Sequence, residues 1–285
     1  MINLSEKFVL AVFHQNEKHF SWVRDKESAR KTARETGARE DDVHSSKRRL
    51  AKEALKKISG AMGDAYDIYF KTTFPTGEKG QRLLPIVLVN DFENKMKELD
   101  DGVRSAREEF LQDYPLWIQE ARERLQKLFR EDDYPPVSEM ANRFRISYTI
   151  LPLPSVMQTS YLPYEIERIV KKYIQEDNEK KWNTMITDIW DRLQTPIAHM
   201  VERLGDKDNK FKNSIVTNIK EICETLGVLD INGGAGIEEM RAKIERLFSN
   251  INPDDLRDNR KIRNQTLQQA EVVLAEIKER RKIII

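Results

Sequence analysis

From Phe92 onward the apolar residues Phe92, Met96, Leu99, Val103, Ala106, Phe110, Tyr114, Trp117, Ala121, Leu125 and Leu128 recur in steps of four and three. A stripe of that period lines one side of an α-helix and has no counterpart on a strand; it persists for about five heptads. At ~1.5 Å per residue a continuous helix from Phe92 to Phe129 is on the order of 55 Å long. Pro115 removes one backbone donor, which predicts a kink there or a break after Tyr114. A second stripe follows Pro163: Ile166, Ile169, Val170 and Tyr173, then Trp182, Met185, Ile186, Ile189, Trp190, Leu193, Ile197, Met200, Val201 and Leu204. It lapses between Gln175 and Lys181, leaving an exposed helical neck or a loop, and Pro196 predicts another kink. Helices this long need a partner for their apolar faces. That partner is either the other helix, in an antiparallel hairpin, or a second copy of the chain.

Around the two stripes the signals are shorter. Phe8 to Phe13, a polar break, and then Phe20 to Val23 read as two strands or a hairpin, and Ile146 to Leu151 alternates as a strand should before Pro152 and Pro154 end it. Leu83 to Val89 reads as a strand or an extended lead-in. Residues 24–49 carry mostly charge and predict a solvated helix or a mobile loop, whereas Leu55, Ile58, Met62, Tyr66 and Tyr69 restore a helical spacing. Three helices close the chain, at Asn213 to Leu226, Ile237 to Phe248 and Pro253 to Arg281, and the glycine-rich residues 232–236 read as a turn between two of them.

The resulting expectation is a mainly α (α+β) protein: a small mixed head with strands (residues 1–90 and 131–160), a hairpin of long, kinked antiparallel helices (91–130 and 161–205) and a C-terminal helical region (206–285). No apolar run approaches the ~18 residues of a membrane span, the N-terminus lacks a signal-peptide pattern, and the single cysteine, Cys223, excludes an internal disulfide framework. A cytoplasmic setting without membrane partners is the expectation.

Thr73-Phe74-Pro75, the run Gly80-Gln81-Arg82-Leu83-Leu84-Pro85, Tyr114-Pro115, Asp133-Tyr134-Pro135 and Leu151-Pro152-Leu153-Pro154, with Ser21-Trp22 and residues 211–214 beside them, resemble an uncharacterised family of tailed-bacteriophage proteins. In that family a tryptophan commonly follows the first of these prolines, whereas Thr76 stands here. The resemblance implies a phage origin and a genomic setting near DNA metabolism, and it implies no catalytic residue and no cofactor.

The chemistry of catalysis is sparse. His14, His19, His44 and His199 are scattered; only His14 and His19 could meet, across a hairpin, and no cysteine accompanies them. Cys223 shares a helix face with Ile219 and Leu226, the position of an inert core thiol. No phosphate-cradling glycine loop is followed by Lys-Ser or Lys-Thr. Acidic clusters such as Glu131-Asp132-Asp133 and Asp254-Asp255 read as helix stops and first-turn charges.

Net charge does not identify a partner either, because 49 Lys and Arg offset 48 Asp and Glu to give +1. The local balance is more telling. Residues 24–57 hold 12 Lys or Arg against 7 Asp or Glu, an excess suited to phosphate contacts. Arg30, Lys31, Arg34, Lys47, Arg48, Arg49, Lys52 and Lys56 are the candidate nucleic-acid contacts, with Tyr66, Tyr69 and Phe70 as stacking surfaces. The expected function is a non-enzymatic phage accessory protein that binds nucleic acid, with single-stranded DNA the first expectation, and self-assembles through its long helices; the alternative is a protein-binding adaptor or inhibitor of a host defence or ATPase component. The terminal Lys282 to Ile285 would suit strand addition to a sheet edge, in cis or in trans.

Overall fold

A computed structural model describes residues 4–15, 20–206, 213–227 and 236–282. In chain order the elements are β1 (Phe8–Gln15), β2 (Trp22–Arg24), α1 (Lys26–Thr36), β3 (Ser46–Arg48), α2 (Lys56–Thr72), β4 (Phe74–Pro75), β5 (Gln81–Pro85), α3 (Val89–Leu125), α4 (Val137–Met140), β6 (Ile146–Leu151), α5 (Tyr164–Gly205), α6 (Ser214–Gly227), α7 (Ile237–Phe248), α8 (Pro253–Asp258) and α9 (Arg260–Lys282), with short 3-10 turns between several of them. The protein is mainly α-helical with a four-stranded sheet of order β4-β5-β1-β6 and a two-stranded β2-β3 ribbon. Both long helices run unbroken through their internal prolines, Pro115 and Pro196, and the stretch Gln175 to Lys181 is helix rather than loop.

The chain divides into two compact units, residues 1–12, 71–89 and 150–285 in the first and 13–70 and 90–149 in the second. α3 belongs to the second unit and α5 to the first. Within the first unit α5 packs against α9, α6 and β4. The physical reason lies in the later helices: α6 buries Ile215, Ile219, Cys223 and Leu226, α7 buries Met240, Ile244 and Phe248, and α9 buries Ala270, Val273 and Ile277. These stripes, each of period close to 3.6, cover the α5 residues Met185, Ile189, Trp190, Leu193, Ile197 and Met200 in one continuous core.

The sheet lays one face on that core, through Phe8, Leu10, Phe74 and Leu83. β1 pairs antiparallel with β5, Phe8 opposite Pro85 and Leu10 opposite Leu83, and β4 pairs with β5, Phe74 opposite Leu83. Arg192 of α5 ties the edge down: it is ion-paired with Asp188 at 2.7 Å, donates to the carbonyls of Lys71 (3.0 Å) and Thr73 (2.7 Å), and lies 4.7 Å from the Phe74 ring centre. Burial lowers the Arg192 pKa and raises that of Asp188, each opposed by the other's charge. The expected last helix is two. Asn259 turns extended after α8, and its side chain accepts from the amides of Lys261 (3.0 Å) and Ile262 (3.2 Å), so one residue ends α8 and caps α9.

In the second unit α3 buries Phe92, Met96, Val103, Phe110, Tyr114 and Ala121, six of the eleven residues of the predicted stripe; Leu99, Ala106, Trp117 and Leu125 are half-buried, and Leu128 lies past the helix end and is exposed. α2 contributes Ile58, Met62, Ala65 and Tyr69. Phe144 meets Phe110 edge-on at 5.6 Å and Phe20 at 6.2 Å. Of the two readings of the first apolar runs, two strands or a hairpin, the structure has two strands in separate sheets. β1 takes the apolar β5 as its neighbour, while β2 pairs antiparallel with β3, Trp22 opposite Arg48 and Arg24 opposite Ser46.

Candidate nucleic-acid interface

The charged segment folds locally for identifiable reasons. Asp25 begins α1 as its N-cap, accepting from the Ser28 amide (3.2 Å) and hydroxyl (2.7 Å), and Gly37 ends it in the left-handed region at φ 70°. Ala29 and Ala33 are the buried residues of α1. Because they are so small, the helix lies close to its support and its long polar side chains reach outward. Lys26, Arg30 and Arg34, spaced by four, form one exposed row. Lys31 is exposed on the same helix, paired with Glu35 at 3.8 Å, and Arg30 pairs with Glu40 at 3.3 Å. Both pairs are open to solvent and contribute little.

Beside α1 lies a cleft of about 770 Å³, lined by Arg24, Lys26, Arg30, Lys31, Arg34, Lys47 and Arg130 and by Asp25, Glu27, Glu35, Asp132 and Asp133. The acids are partly committed. Glu27 is bound to Arg130, and Asp133 to Lys47 at 2.8 Å. Burial pushes the Asp25 carboxyl up, but the two Ser28 hydrogen bonds and the charge of Lys47 outweigh it and hold the group below the ordinary carboxylate range. Lys26 and Arg34 make no ion pair among the described residues.

The eight predicted contacts do not lie together in one exposed patch. Arg30, Lys31 and Arg34 stand together on α1 over the cleft. Lys47 is 7% exposed; besides Asp133 it binds the Leu128 carbonyl, so it is a tie inside the second unit. Arg49 is turned inward as well: its guanidinium sits 4.8 Å from the Phe20 ring centre and donates to the Phe20 carbonyl at 3.3 Å, while its own carbonyl accepts from Tyr134 Oη (2.9 Å) and Arg124 (3.0 Å). Arg48 lies over the Trp22 ring at 4.8 Å. Lys52, just ahead of the 3-10 turn that leads into α2, and Lys56, the first residue of α2, are exposed and outside the cleft lining. Of the expected stacking residues, Tyr69 is buried and stacked on Phe13 at 5.2 Å, whereas Tyr66 and Phe70 are partly exposed, 4.5 Å apart.

The eight candidates leave out Trp22, Arg24 and Arg130. The alternation of a two-stranded ribbon puts Trp22, Arg24, Ser46 and Arg48 on its outer face and Val23 and Lys47 on the inner one. Trp22 is half exposed under Arg48, and Arg24 is hydrogen-bonded to His44 at 3.1 Å. The signal for this was the Trp-Val-Arg alternation, legible once a partner strand is assigned. An aromatic plane, two arginines and the α1 cations thus belong to one unit and can meet a flat, negatively charged ligand.

Among the described residues no three His, Cys, Asp or Glu form a group that could hold a metal ion, and His19 and residues 232–235 and 283–285, invoked above for a hairpin, a turn and an added strand, lie outside the described residues. Cys223 is buried, and burial, with the charge of Glu245 nearby, pushes its thiol up to about 11. No helix among the described residues is long and apolar enough to cross a membrane. Compared with known proteins, the chain matches no family model, no curated protein and no solved structure.

Proposed function

We propose that the second unit binds single-stranded nucleic acid, most naturally DNA, by binding alone and without catalysis: the α1 row Lys26, Arg30 and Arg34, with Lys31, contacts phosphates, and Trp22 stacks on a base between Arg24 and Arg48. The observation that carries this reading is the outer face of the β2-β3 ribbon, where a half-exposed tryptophan lies under an arginine. A solvent-facing indole has little to do for stability, whereas every base offers it a π-face. The resemblance to a tailed-phage family supports placing this binding in phage DNA metabolism, in the host cytoplasm. Fluorescence anisotropy of a labelled 40-nucleotide single strand, titrated with the full chain at several salt concentrations, tests it. Binding should weaken as salt rises, with the tryptophan emission quenched by the strand. Binding that ignores salt, or no binding at low salt, overturns the reading.

A further inference from the structure

We propose that the first half of α5 pairs antiparallel with the same segment of a second copy of this chain. α5 buries side chains in its own unit from Lys181 onward; the four and a half turns before that carry a second apolar row that the unit leaves open. Ile166 is 48% exposed, Ile169 49% and Tyr173 67%. Steps of three and four place these on one side of the helix, as in a coiled-coil seam. Two isoleucines and a tyrosine, each about half or more exposed in one unbroken row, form a contiguous apolar strip rather than scattered surface residues.

Charge selects the occupant and its direction. Glu165 and Lys172 are seven residues apart on the same edge of the row, and both are exposed. Their present partners are distant, Arg168 at 3.7 Å from Glu165 and Glu176 at 3.7 Å from Lys172, so little is lost in exchanging them. An edge that reads acid and then base is complementary to its own inverse. About a two-fold axis beside residues 167 and 168, Ile166 meets the partner's Ile169, Glu165 lies opposite the partner's Lys172, and the reciprocal pair forms by symmetry. In a parallel pair the same edge would face Val170 instead, and no charge would be matched. The pairing is independent of strand binding, and its test uses the protein alone.

Sedimentation velocity of the full chain over a concentration series should show a dimer, and Ile169→Glu should leave a monomer with unchanged helical circular dichroism. Glu165→Lys and Lys172→Glu, each replacing two attractive pairs by two repulsive ones, should weaken the dimer roughly fivefold or more, and the double variant E165K/K172E should recover it. Recovery by the double variant is a result that a hydrophobic contact of another kind cannot produce. A wild-type chain that stays monomeric at its highest soluble concentration, which would leave the face to a different protein, overturns the proposal, as does an oligomer that Ile169→Glu does not change or a double variant no better than the singles.

Discussion

Two stretches of like composition, the α1 row and the Lys47-Arg48-Arg49 run, meet opposite fates in the second unit. The cations of α1 rest on a helix whose inward side is alanine, so their charged ends stay in water. Those of the run belong to a strand, and a strand turns alternate side chains to opposite faces. Lys47 therefore points inward to Asp133 and the Leu128 carbonyl, while Arg48 points outward over Trp22. Charge density in a sequence thus locates a basic segment, but the periodicity of its backbone decides which cations a ligand can touch.

The largest effect expected from that contrast is on stability. Lys47→Met keeps the stem and removes the charge, leaving Asp133 without its buried partner, and should cost roughly 3–5 kcal/mol; Lys47→Glu should cost more. Urea denaturation measures it. A Lys47→Met protein as stable as the parent would show that Lys47 belongs with the surface cations after all. The triple variant Arg30→Glu, Lys31→Glu and Arg34→Glu should do the reverse. It gives up only solvent-exposed pairs, so its unfolding midpoint should stay close to the parent's, while its affinity for a single strand drops at least ~tenfold. Each phosphate contact contributes about 0.7 to the slope of log affinity against log salt for a single strand, so losing three lowers the slope by about 2. An unchanged slope would remove α1 from the interface.

Trp22 probes the outer face of the ribbon. Trp22→Ala should weaken strand binding by ~1–3 kcal/mol, the range for one stacked base, and Trp22→Phe by less. If both bind like the parent, the exposed indole is not a stacking surface and the phosphate contacts of α1 stand alone.

Much of this architecture is legible in the sequence, because the signals that carry it are local. The α3 stripe turns out to be the buried face of one uninterrupted helix, and Ile219, Cys223 and Leu226 lie together as their spacing implies. What escapes is long-range. Nothing near Ser46-Lys47-Arg48 marks a strand, since neither its composition nor its alternation is apolar; it becomes one by pairing with Trp22 to Arg24. Nor can a lysine in a charged run be recognised as buried before its acid is known, and Asp133 comes from a distant turn. Motif residues behave similarly: Tyr114 Oη donates to the Pro135 carbonyl at 3.1 Å, Arg82 donates to Thr73 Oγ1 at 2.7 Å and to its carbonyl at 2.9 Å, and Tyr134 holds the Arg49 carbonyl. The residues that stand out as motifs are ties of the fold, while the candidate site is built from unremarkable charges around one tryptophan.

The smallest effect is expected where the two stretches meet, at Asp25, which caps α1 and feels the charge of Lys47. Its carboxyl titrates lower in the folded protein than in the unfolded chain, so the folded state favours the charged form. The stability this confers is complete above the unfolded value near 3.9 and disappears as the pH falls through the lower folded value. Asp25→Ala should therefore cost about 1 kcal/mol at neutral pH, the usual worth of an N-cap, and the gap should close in acid as the parent's carboxylate protonates. Asp25→Asn keeps an acceptor for the Ser28 amide and loses the titration, so its stability should run parallel to that of the alanine variant across the acid range, displaced upward. Urea midpoints of the three proteins at pH 7 and pH 3 separate the contributions. A parent-to-alanine gap that widens in acid would reverse the sign argued here and make Asp25 a strained carboxylate that Lys47 tolerates, instead of the cap that holds the cation row in place.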